Sequence, residues 1–228
     1  MLGAVERAGA LAVEVGVPFS DPIADGPDIQ RACEHALRQG TGITDVLGLV
    51  ARFRRDSELP VVVMTYANPV SRMGASAFAR CAREAGVDGV ILSDVPPEEL
   101  PETWAAMDDA GLDTVLLVAP TTSGARLPVL LARCRGFVYV LARTGVTGTA
   151  GGYAGSLDER LAAVRAGCRL PVAVGFGIST AADARALRGR VDAAIVGAAF
   201  MRRVREDVEH GAAERVGALA QELVEALH

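Results

Sequence analysis

The sequence predicts an α/β fold with a parallel sheet closed as a (β/α)8 TIM barrel, of which seven strands are recognisable. Two observations carry this. Short runs of β-branched and apolar residues alternate along the chain with stretches of helical length and period. The runs are also continuously apolar rather than alternating, as expected of strands covered on both faces. With no linker-like segment in 228 residues, residues 1–228 read as a single domain.

The elements follow in order. Residues 2–9 read as a helix, so the chain opens on a helix where a complete barrel would need one more strand first. The strands are 11–16, 60–65, 88–92, 113–118, 136–141, 171–175 and 191–196. The clearest helix spans 27–39, with Pro27 in its first turn and Gly40 as its stop. Its apolar residues Ile29, Ala32, Cys33, Ala36 and Leu37 fall on one face at i, i+3, i+4, i+7 and i+8. Further helices are expected near 43–54, 74–85, 97–110, 124–134, 156–166, 180–188 and 199–227, the last interrupted at Gly211.

Composition narrows the chemistry. All 23 basic residues are arginine, which excludes a lysine Schiff base, a P-loop lysine and a self-contained pyridoxal-phosphate enzyme. A net charge of −5 argues against nucleic acid as a partner. Three histidines, two of them near the C-terminus, do not suit a Ser–His–Asp triad or a multi-histidine metal site, so no metal is expected. The four cysteines form no C-x-x-C pair and read as thiols of a reducing compartment. No apolar run approaches the roughly 18–20 residues that span a bilayer, and no signal-peptide layout opens the chain. A cytoplasmic protein without a membrane partner is expected.

Barrel chemistry sits at the C-terminal ends of strands. Glu14 lies inside the first apolar run, in phase with Ala12 and Gly16, and that parity aims it into the barrel. A buried carboxylate without an adjacent cation has a raised pKa and suits acid–base work; its competing reading is an ion pair inside the barrel. Asp21 and Asp25 follow on a long loop, and both have helix capping as their alternative. Asp94 ends another strand, with turn stabilisation as its alternative. Gly145–Gly148, Gly175–Gly177 and Gly197 follow late strands, where barrels often bind phosphate on freed backbone amides. Residues 148–155 read as a mobile lid.

Seven segments together resemble the α subunit of tryptophan synthase: EVGVPFSDPIADGPDIQ (14–30), MTYANPV (64–70), DGVILSDVPPEE (88–99), LLVAPTTS (116–123), FVYVLARTGVTGT (137–149), VAVGFGIST (172–180) and AAIVGAAF (193–200). The resemblance implies retro-aldol cleavage of indole-3-glycerol phosphate to indole and glyceraldehyde 3-phosphate. It implies Glu14 as the acid–base residue and Asp25 as acceptor of the indole N–H. Tyr139 and Thr147 match a pocket tyrosine and a lid threonine, and Met64, Ile91, Phe176 and Ile195 match apolar walls around the ring. Gly148, Phe176, Gly177, Gly197 and Ala198 match phosphate-site positions, Ala198 standing where the family commonly has serine.

A pyridoxal-phosphate β subunit is the implied partner, in an α2β2 assembly, with Pro18, Asp21, Asn68 and Val95–Pro96 near the contact. No cofactor is expected in this chain. Family members carry a helix and a first strand before the region matching residue 2. The gap is expected to be closed by oligomer contacts, by local rearrangement or by residues upstream of Met1. Two alternatives accompany the lyase reading: a catalytically impaired subunit that modulates a β subunit, and a standalone lyase of secondary metabolism.

Overall fold

The computed structural model describes residues 1–142, 157–175, 177–206 and 211–228. The chain opens with α1 (Leu2–Arg7), followed by β1 (Val13–Gly16), α2 (Pro27–Arg38), α3 (Ile43–Phe53) and β2 (Val61–Thr65). A short α4 (Ala67–Met73) precedes α5 (Ala75–Glu84), β3 (Gly89–Leu92) and α6 (Pro101–Asp109). The expected strand at 113–118 appears as β4 (Asp113–Thr114) and β5 (Leu116–Val118). Then come α7 (Leu127–Arg133), β6 (Val138–Leu141), α8 (Leu157–Gly167), β7 (Val172–Gly175), α9 (Ala181–Arg185) and β8 (Ala193–Ala194). The long C-terminal helical stretch is divided, as expected, into α10 (Ala198–Glu206) and α11 (Ala212–Leu227).

All strand pairs are parallel, in the orders β1-β2-β3-β4 and β5-β6-β7-β8. The two sheets meet within one continuous strand. Val115 N–H donates to Val90 of β3, whereas Leu116 is registered with Val138 of β6. Counting β4 and β5 together restores the seven strands read from the sequence.

Alternation along each strand divides the side chains into two layers. One parity, including Val61, Val63, Val90, Leu92, Val138, Val140, Val172 and Val174, packs outward under the helices. The other fills the interior with Val62, Ile91, Val115 and Tyr139, backed by Met64, Leu117, Phe137, Leu141 and Ile195. Both layers are apolar, which is why the strands read as continuous hydrophobic runs. Outside, α9, α10 and α11 share a smaller cluster around Ala184, Ala199, Leu219 and Leu223.

At the N-terminal ends of the strands, one device appears twice. Asp88 accepts the Val61 N–H at 2.7 Å and pairs with Arg54. Asp192 accepts the Val172 N–H at 2.8 Å and pairs with Arg165 at 3.2 Å. Each carboxylate thus satisfies the first amide of the neighbouring strand.

The sector between β1 and β8 differs. β1 pairs with β2 alone and β8 with β7 alone among the described residues, so local rearrangement has not joined the two. Beside this sector the apolar stripe of α2 is covered only in part: none of its residues is buried, and Leu37 is 38% exposed.

Asp88→Ala is expected to lower stability by about 1–3 kcal/mol, through the loss of a charge-assisted hydrogen bond to a strand amide. Urea denaturation of the variant measures it, and Asp88→Asn should recover part of the loss.

Candidate active site

Glu14 is registered with Val62 in the parallel β1–β2 pair, and Val62 belongs to the interior layer. The expected parity therefore holds, and Glu14 faces the barrel interior. Burial against that interior and the charge of nearby Asp25 push its carboxyl from 4.5 up to about 7. Glu14 is also reachable by water, because β1 is an edge strand and Ala12, Glu14 and Gly16 on its inward side are exposed. Water there works against the shift, and covering the edge would strengthen it.

Asp25 reaches the same place from the β1–α2 loop. Its carboxylate does not cap α2, whose N-cap is Gly26 and has no side-chain cap bond. Instead the Tyr66 hydroxyl donates to Asp25 Oδ2 at 2.9 Å. That hydroxyl in turn accepts the Ala24 N–H at 3.1 Å, so Tyr66 ties the loop to the end of β2. Burial raises the Asp25 pKa, and the Tyr66 hydrogen bond works against the rise. Phe19 packs on Tyr66 with ring centroids 5.2 Å apart.

Tyr139 is the large polar side chain of the interior, 4% exposed. Burial, then the charges of Glu14 and Asp25, hold its phenol protonated well above the ordinary range. Its ring lies against Gly175, where an added Cβ would come within 2.3 Å of the hydroxyl oxygen. Glycine at 175 is thus the space that the tyrosine occupies. Met64, Ile91 and Ile195 belong to the same interior layer, as expected of walls around an apolar ligand.

The glycines expected to bind phosphate follow β7 and β8, and Gly197 lies beside α2, where an added Cβ would come 3.6 Å from Ile29 Cδ1. Gly177 has φ +98°, a conformation that favours glycine. The N-terminus of α9 is already occupied: Asp183 Oδ2 accepts from Ser179 N–H at 3.0 Å and from Thr180 N–H at 2.9 Å. Gly197 precedes α10, which starts at Ala198, and first-turn amides of a helix have no intrahelical partner. A phosphate at this end would therefore draw on α10 rather than α9. Thr147, Gly148 and Phe176 lie outside the described residues, as does the expected lid.

Two further aspartates bond elsewhere. Asp94 Oδ1 accepts the Ala67 N–H at 2.8 Å and so serves the first turn of α4. Asp21 is exposed and bonds Ser20 beside it at 2.8 Å. On the expected contact loops, Asn68 is exposed, Val95 and Pro96 are half-buried, and Pro18 is buried. Sequence reasoning missed Tyr66 as a site residue. Its signal was its place, immediately after a strand on the face where barrel chemistry gathers.

These features define a parallel barrel with two carboxylates, Glu14 and Asp25, gathered at one end of its strands. The family model for the tryptophan synthase alpha chain matches residues 1–228. A tryptophan synthase alpha chain from Bordetella parapertussis is 49% identical over 203 residues, covering 86% of this chain and 70% of that one. One from Burkholderia mallei is 45% identical over 223 residues, covering 97% and 82%. A structure of Mycobacterium tuberculosis tryptophan synthase superposes with TM-score 0.88 at 39% identity, covering 98% of this chain and 84% of that chain. The chain belongs to the tryptophan synthase alpha chain family.

Two predictions follow from the carboxylates. Because Glu14 binds its proton more tightly when folded, its contribution to stability is present below pH 4.5 and is lost as the pH rises to about 7. Glu14→Gln should therefore leave stability unchanged at pH 4.5 and raise it at pH 8, as read by denaturation at both values. In Tyr66→Phe, Asp25 loses the donor that favours its charged form, so its titration should move to higher pH, as followed by carboxyl NMR.

Proposed function

We propose that the chain cleaves indole-3-glycerol phosphate to indole and glyceraldehyde 3-phosphate, with Glu14 as the acid–base group. The observation that carries this is Glu14 facing the interior beside Asp25, with its carboxyl near 7. A group titrating there supplies both proton donor and proton acceptor at neutral pH.

The reaction requires both. Protonation of indole C3 places positive charge on the ring, delocalised to the ring nitrogen. The hydroxyl on the adjoining side-chain carbon gives up its proton. The C–C bond then breaks, its electron pair returning to the ring as the oxygen electrons form the aldehyde carbonyl. Glu14 moves these protons. Asp25 accepts the indole N–H and stabilises the cation, and Tyr66 keeps it aimed. Tyr139, Met64, Ile91 and Ile195 enclose the ring, with Phe176 and the lid residue Thr147 completing the pocket. The phosphate binds on backbone amides around Gly148, Phe176, Gly177, Gly197 and Ala198, helped by the positive end of α10. Ala198 supplies an amide there but no hydroxyl.

The partner in this reading is a β subunit that holds pyridoxal phosphate and takes up indole, in a cytoplasmic α2β2 heterotetramer. No helix among the described residues is long and apolar enough to cross a membrane. Residues 1–228 act as one barrel domain.

The test is indole release from indole-3-glycerol phosphate, with and without a β subunit. Glu14→Gln should lower it by about 10²–10⁴-fold, the usual worth of a general acid–base group. Activity unchanged by that substitution would remove Glu14 from the reaction. Ala198→Ser should lower KM by roughly fivefold, the effect of one added hydrogen bond of about 1 kcal/mol.

A further inference from the structure

The proposed substrate has its two recognition ends on opposite sides of the unpaired sector. β1 leads into the Asp25 loop, and β8 leads into Gly197 and α10, yet among the described residues no strand ladder joins β1 to β8. A ladder would fix the spacing of the two ends through the backbone. Here a different connection crosses the sector. Asp28 stands three residues after Asp25, in the first turn of α2. Arg202 of α10 donates through Nη1 to Asp28 Oδ2 at 2.9 Å and through Nη2 to Ser179 Oγ at 2.9 Å. Ser179 lies two residues beyond Gly177, in the loop after β7. Arg205 adds a bond to Asp28 Oδ1 at 3.1 Å, and Arg31 reaches the same oxygen at 3.3 Å.

We propose that Arg202, held by Asp28 and Ser179, is a positioning residue that sets the spacing between the acid–base end and the phosphate end of the site. The planar guanidinium suits this, because its two terminal nitrogens hold different elements in a fixed relative orientation. The Asp28 side chain is only 15% exposed, whereas those of Arg202 and Arg205 are 41% and 52% exposed, so the carboxylate is the buried hub. Although its partial burial works the other way, the Arg202 hydrogen bond and the charges of Arg202, Arg205 and Arg31 hold its pKa below the ordinary range. Arg202 projects toward the start of its helix, as helical side chains do, which puts the cluster beside Gly197. The inference rests on the reading above that one substrate spans both ends.

A ligand that spans the site depends on this spacing, whereas a ligand that occupies one end does not. The test compares the unaltered chain with Arg202→Met, Asp28→Ala, the double variant and Arg202→Lys. Four quantities are measured: kcat/KM for indole-3-glycerol phosphate, and Kd for indole-3-propanol phosphate (the non-cleavable spanning analogue), for indole alone and for inorganic phosphate alone. Either single substitution should weaken the spanning ligand and lower kcat/KM by about 10–100-fold, the scale of an ångström-level misplacement. The fragments should stay within about twofold, the double variant should be no worse than either single one, and Arg202→Lys, whose single ammonium cannot hold both elements in a fixed orientation, should recover only a small part of the loss.

Additive losses, an unaffected spanning ligand, or an equal loss for phosphate alone would overturn the proposal, the last making Arg202 a direct phosphate ligand. Should Arg202→Met not fold, the comparison of Arg202→Lys with Asp28→Asn decides on the same criteria. An unaltered chain that neither cleaves the substrate nor binds its analogue would refute the function reading itself, and the inference with it.

Discussion

The site depends on the register of one strand pair. β1 runs parallel to β2 with Glu14 opposite Val62, and that register turns the carboxylate inward. A slip of one residue would send Glu14 among the helices and bring Val13 or Val15 into the barrel. Only one edge of β1 is paired, so the orientation of Glu14 rests on four registered residue pairs and on Val13 packed in the outer core. Small residues on the inward side of β1, Ala12 and Gly16, leave the carboxylate room.

From that orientation the electrostatics follow. Glu14 and Asp25 are carboxylates gathered at one place, and besides burial the charge of Asp25 raises the Glu14 pKa. No lysine exists in the chain to neutralise them, and the described arginines form their ion pairs with other carboxylates. Asp28 takes three of those arginines at the rim, Asp88 and Asp192 take one each at the foot of the barrel, and none of these five cations forms an ion pair with Glu14 or Asp25. The same carboxylate chemistry therefore does opposite work. Paired with guanidinium it holds elements together; left without it in the interior it stays protonatable near neutrality.

Much of this was legible in the sequence, for identifiable reasons. The strands were visible because both faces of the sheet are apolar, and Glu14 stood out as the charge inside such a run. Asp25 was visible as a carboxylate on the long loop that follows, although only the structure separates its role from helix capping. Asp21 bonds only its neighbour Ser20, whereas Asp94 bonds the Ala67 amide 27 residues away, a contact that its own turn does not announce. Other features depend on contacts between distant segments. Tyr66 acts through a loop 41 residues away in sequence. The division of residues 113–118 between two sheets comes from the neighbouring strands, not from the residues themselves. Periodicity identified α2 and its apolar stripe correctly, but it carries no information on whether a partner surface exists to bury that stripe.

The central claim is that the barrel interior holds Glu14 as a neutral-pH acid–base group. Its most direct measurement is a carbon-13 NMR titration of the glutamate side-chain carboxyls, with the Glu14 signal assigned by its loss in Glu14→Gln. The account predicts a midpoint near 7 for that signal. A midpoint in the ordinary glutamate range, around 4.3, would contradict it.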